Sequence, residues 1–134
     1  MLRPNFLNIL FFILAKYLAF YFFMIVKNHD FKLFKLDNVS SGSSLSYFII
    51  IMLPLPLISM IIFSMPLYFS FKLKRIILFL MAVFFTILLE CAVYVFLTSQ
   101  NYLDLNGFYN GVIGVVLFII LFYRSIIVKL KRSV

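Results

Sequence analysis

Two ionisable residues sit where such residues are expensive. Lys16 lies midway along the apolar stretch Phe6–Val26, and Glu90 lies well inside Ile76–Thr98, written IILFLMAVFFTILLECAVYVFLT. A charged group in hydrocarbon is costly unless paired or hydrated, so each marks a candidate functional site. Together they could form a buried ion pair, pair with another subunit, or make an ion-coupling site near the middle of a membrane. The other reactive side chains offer less. His29 is the only histidine and Cys91 the only cysteine. One of each cannot assemble a usual zinc site, and a single cysteine forms no intramolecular disulfide. Cys91 is walled by apolar neighbours that give no reason to expect a thiolate. No catalytic residue, metal or cofactor is expected.

The elements that must position Lys16 and Glu90 follow from composition. The chain has 134 residues, 66% of them hydrophobic and 12% charged, whereas a soluble domain averages about 45–50% apolar and about 25% charged. A chain this short cannot hide that much apolar surface in a water-soluble fold. Lipid must be the solvent, and 1–134 reads as one transmembrane domain. An all-α membrane protein is expected, with four transmembrane helices in a compact bundle. About 20 apolar residues cross a bilayer core, which puts the spans at about 6–26, 46–71, 76–98 and 109–128. The first is read as a retained span rather than a cleaved signal peptide, because its apolar run is too long and holds Lys16. The outer loops are then 27–45 and 99–108, and 72–75 is a tight inner turn. Within the first loop, Phe31, Leu33, Phe34 and Leu36 alternate with Lys32, Lys35 and Asp37, the pattern of a short interfacial segment. Ser40–Ser44 reads as flexible linker.

Depth can be counted along the chain. Lys16 is about 10 residues, or about 15 Å, from either end of its span. That is too far to snorkel easily, so it faces the protein interior or a wet cavity. Lys16 lies 13 residues beyond Arg3 and Glu90 lies 15 beyond Arg75, a difference of about 3 Å in depth. The two charges therefore share a layer and meet if their helices adjoin. Thr86 and Tyr94 stand four residues either side of Glu90, which makes a polar stripe. Pro54 and Pro56 are expected to kink or break the second span at similar depth. Their freed carbonyls would be further polar neighbours for the pair. Ala15 and Ala19 on one span, and Gly107, Gly111 and Gly114 on another, are small-residue spacings that allow close helix approach. Asp104, Asn106 and Asn110 form the most compact polar cluster on the outer side, where chemistry on an envelope lipid would have to occur.

The formal net charge is +8. On a soluble protein that would suggest nucleic acid, but here the bases cluster at span ends and leave no basic patch of useful size. Arg3, Lys72, Lys74, Arg75, Arg124, Lys129, Lys131 and Arg132 fall on one side, which is eight; Lys27, Lys32 and Lys35 fall on the other, which is three. The positive-inside rule then puts both termini in the cytoplasm of a multi-pass plasma-membrane protein.

The segment Glu90 to Gly114 resembles the end of the VanZ-like family of small membrane proteins. That family has a span with an internal acid, a short acidic loop, and an asparagine and glycines opening the last span. Glu90, Asp104, Asn110 and Gly114 take those places over about 25 residues, while the family's basic residue in the short loop is absent. The resemblance implies a four-helix architecture and a role at the cell envelope. In general build the chain is also similar to small membrane proteins that accompany bacterial exosortase-type sorting systems. From the residues, the favoured expectation is a non-enzymatic accessory or scaffold subunit of a membrane complex. Its partners would be the lipid bilayer and another membrane protein or a second copy. The alternatives are a small oligomeric transporter or channel working through Lys16 and Glu90, and an envelope protein of the VanZ-like kind.

Overall fold

The computed structural model describes residues 2–28, 53–98 and 105–133. Among them every regular element is helical: α1 (Phe6–Asn28), α2 (Pro54–Ser70), α3 (Ile76–Thr98) and α4 (Asn106–Ser133). The expected interfacial segment, linker and most of the 99–108 loop lie outside the described residues. Helices α1, α3 and α4 are each long and apolar enough to cross a membrane, and α2 is a shorter apolar helix of 17 residues. The chain is a membrane protein.

Helix ends follow local chemistry. Asn5 precedes α1 and accepts the Asn8 backbone N–H at 2.7 Å, while the Asn8 side chain donates back to the Arg3 carbonyl at 2.8 Å. This reciprocal arrangement satisfies an orphan donor of the first turn. Asn8 therefore belongs to a cap and does not interrupt the apolar span. Asn5→Ala is expected to lower stability by about 1 kcal/mol, read as a shift in the denaturation midpoint in detergent.

Pro54 and Pro56 fall in the first turn of α2, with Pro54 directly after Leu53. There the missing N–H is among the donors that have no intrahelical partner anyway. The prolines stand at the start of the described helix, and the residues before Leu53, where the expected kink or break would show, lie outside the described part. Pro66 is the one inside α2, and it faces outward.

Span 3 has the bounds expected of it, whereas α4 runs past the expected 109–128 at both ends. Lys129, Lys131 and Arg132 are good helix formers. Cations in a last turn also suit the helix dipole, so the helix continues beyond its apolar part.

The helices pack in the cyclic order α1–α2–α3–α4–α1. Neighbours are antiparallel. Along α1 and α2, Phe6 meets Tyr68 and Tyr17 meets Ser59. Along α1 and α4, Phe23 meets Tyr109 and Phe12 meets Phe118. The turn from Phe71 to Arg75, the start of the chain and the end of α4 thus gather at one end. Leu2 N–H donates to the Leu121 carbonyl there at 2.9 Å.

The outer surface is apolar: Ile61 and Phe96 are each 77% exposed and Leu7 is 72%. The inside holds aromatic and aliphatic side chains together with Lys16, Glu90 and Asn110. Apolar outside and polar within is the reverse of a soluble fold, and it is the arrangement that lipid rewards.

Candidate functional site: a buried ion pair on the axis

Lys16 projects from α1 and Glu90 from α3, and Lys16 Nζ lies 2.6 Å from Glu90 Oε2. Their side chains are 1% and 2% exposed. The expectation that the two share a layer holds, but their helices are not packing neighbours. Helices α1 and α3 stand diagonally across the ring. Packed neighbours sit about 8–10 Å apart, so the diagonal is about 11–14 Å. A long lysine and a glutamate, both directed at the axis, span that gap where shorter polar side chains would not.

Glycines make the room. A Cβ on Gly114 would stand 3.0 Å from Lys16 Cδ, so the lysine stem runs across that bare backbone. A Cβ on Gly111 would stand 2.5 Å from Cys91 Sγ, and one on Gly107 would collide with Val95 Cγ2. The three glycines bring α4 onto α3, as their spacing suggested. Cys91 is a packing residue at that seam. Ala15 and Ala19 are half-buried beside the core face of α1.

Around the pair, Lys16 Nζ also sits 4.8 Å from the centroid of the Tyr17 ring, within cation–π range. The Tyr17 hydroxyl shares a 2.6 Å hydrogen bond with Ser59 Oγ and lies in electrostatic reach of Glu90 and Asn110. The stripe expected on α3 is present: Thr86, Glu90 and Tyr94 are all buried. Thr86 turns its hydroxyl back to the Ala82 carbonyl at 2.7 Å.

Aromatic layers close the site along the axis. Towards the chain termini, Phe12, one turn from Lys16, packs on Phe118 and Phe122, and Phe71, farther along, packs on Phe79, Phe118 and Phe122. One turn the other way, Phe20 meets Tyr94 edge-on at 5.3 Å. Two surface clefts lie elsewhere, on the α3–α4 flank near Gly107 and at the basic end near Arg3.

Asn110 departs from its expected place. It is 0% exposed, so it is not part of an outer polar cluster with Asp104 and Asn106. Helix α4 begins at Asn106, three residues earlier than hydropathy suggested, and that carries Asn110 one turn inward onto the core face. Asn106 is half-buried, and Asp104 lies outside the described residues. Asn110 joins the interior group instead, next to Gly111, which meets the residue after Glu90. The i, i+4 spacing of Asn110 and Gly114, which lies on the Lys16 stem, is the signal that could have located it. Within this interior, Glu90 Oε1 and both side-chain polar atoms of Asn110 are buried and make no hydrogen bond among the described residues.

Chemically, the arrangement holds one positive and one negative charge together in a dry interior. Among the described residues no group of three or more His, Cys, Asp or Glu could hold a metal ion. No family model matches the chain, and neither a curated protein nor a solved structure does.

Proposed function

We propose that this chain is a four-span integral protein of the plasma membrane, with both termini cytoplasmic, and that it serves as a non-enzymatic accessory or scaffold subunit of a membrane or cell-envelope complex. In this reading α2 and the residues before it make the second of the four spans, about 46–71. The observation that carries the reading is the Lys16–Glu90 pair, bound within one chain and capped by aromatic layers on both sides. A buried pair of this kind can fix which helices pack and in what register. It leaves the apolar outer faces as the surfaces available to lipid and to a partner's helices. An exosortase-type sorting system or a VanZ-like envelope role fits this build.

The test is native purification in mild detergent. The protein is expected to come out of native membranes with a second membrane protein or as a defined oligomer. Recovery as a lone, monodisperse monomer would count against the scaffold role.

A second reading is favoured by the unpartnered Glu90 Oε1 and Asn110 side chain. Buried polar atoms without partners are found at functional sites more than at random. In that reading the interior is a transport or coupling site, and Glu90→Gln abolishes a flux while leaving the protein folded.

A further inference from the structure

The basic end of the molecule has its own site, independent of what the ion pair does. The start of the chain, the turn after α2 and the last turns of α4 enclose a cleft of about 460 Å³. That size lies within the range of about 300–1,000 Å³ usual for small-ligand sites. Arg3, Arg124 and Lys129 line it together with Ser125. Its other walls are apolar, from Leu2, Phe71 and Val128.

The walls are held in place. Leu2 is tied to Leu121 by a backbone hydrogen bond, and the Arg3 carbonyl accepts from both Asn5 N–H and the Asn8 side chain. The Arg3 backbone is thereby fixed near Arg124, one turn beyond Leu121 on α4, and both residues line the cleft. Lys129 Nζ donates to the Leu73 carbonyl and sits 5.0 Å from the centroid of the Phe79 ring. It is oriented and partly used, while both arginines are exposed.

Among the described residues Glu90 is the one acid, and Lys16 holds it. Two exposed guanidiniums that line one cleft favour a phosphate, which guanidiniums bind through paired hydrogen bonds. The apolar walls favour acyl chains beside that phosphate.

We infer that this cleft is a binding site for one anionic phospholipid, its headgroup phosphate held between Arg3 and Arg124 and its glycerol and first methylenes against Leu2, Phe71 and Val128. Basic pockets between helices on the cytoplasmic side of membrane proteins are suited to such headgroups. The site differs from the diffuse field of the other bases because it needs these two arginines in particular.

The experiment uses the full chain in a neutral detergent, with phosphatidylglycerol added in mixed micelles and binding counted by native mass spectrometry. Removing one arginine is expected to weaken binding about five-fold, and the double variant Arg3→Gln/Arg124→Gln about 25-fold. Lys74→Gln/Arg75→Gln removes the same charge from the same end outside the cleft, and less than a two-fold loss is expected. Ser125→Asp, which sets a carboxylate in the lining of the cleft and keeps both arginines, is expected to weaken binding as the double variant does. It reads the site even if the arginine variants lose stability. Equal losses in the cleft and control variants would overturn the inference in favour of a general basic surface. Equal binding of phosphatidylcholine would overturn it in favour of an apolar groove. Full displacement by inorganic phosphate at millimolar concentration would overturn it in favour of a free anion site.

Discussion

Lys16→Met is expected to lower the stability of the protein in detergent by about 3–5 kcal/mol, because it strands the Glu90 carboxylate in a dry interior. Glu90→Gln should cost a similar amount by stranding the ammonium. The double variant Lys16→Met/Glu90→Gln should recover most of the loss, since replacing both members of a buried pair by neutral groups of similar size is often close to neutral. Denaturation midpoints of the four proteins make a double-mutant cycle, and the coupling between the two sites should be large and favourable.

If the double variant lost the sum of the two single losses, the side chains would not be coupled and the lock between α1 and α3 would be refuted. If Glu90→Gln stayed folded and abolished a cellular phenotype or a flux, the transport reading would take precedence over the scaffold reading. The same pair thus distinguishes the two, because a structural lock is rescued by the double variant and a coupling site is not.

The second large effect is expected at the seam of α3 and α4. In an open helix, Gly→Ala would stabilise by about 1 kcal/mol through propensity alone. At Gly111 the added Cβ would stand 2.5 Å from Cys91 Sγ, so the helices must part or shift. Overpacking of this kind costs about 1–3 kcal/mol. Gly111→Ala is therefore expected to destabilise, and Gly107→Ala likewise through Val95. Gly114→Ala is expected to be milder, because the Cβ there meets the flexible lysine stem. Cys91→Ala in the Gly111→Ala background removes the clashing sulfur and should restore part of the loss. Thermal unfolding of this series checks the order, and a stabilised Gly111→Ala would show that the seam is looser than described. Moving α4 outward also pulls Gly114 from Lys16, so the milder packing variants report on the ion pair as well.

Much of this architecture was legible from composition and pattern. Long apolar runs interrupted by basic turns dictate membrane helices, because unpaired backbone groups cannot stand in hydrocarbon. Counting residues from the basic ends placed Lys16 and Glu90 in one layer, since a helix rises by a constant amount per residue. The glycine spacing pointed to a close helix contact, and the α3–α4 seam is that contact. Pro54 and Pro56 were expected to kink or break a span of about 46–71; they stand in the first turn of the described α2, and the residues before Leu53 that would reveal a break lie outside the described part.

What the sequence determined by itself is the solvent of this protein and the depth of its charges, because both depend only on the order of apolar and charged residues along the chain. What only the tertiary structure decided is who meets whom. Helices α1 and α3 could have been neighbours, with the pair lying in their interface. They stand diagonally instead, so the pair crosses the axis and ties together helices that otherwise barely touch. The reason is three-dimensional: four antiparallel helices close into a ring, and the close approach at Gly111 and Gly114 narrows that ring until a lysine can reach a glutamate across it. The same packing turned Asn110 inward from the outer surface to the polar interior.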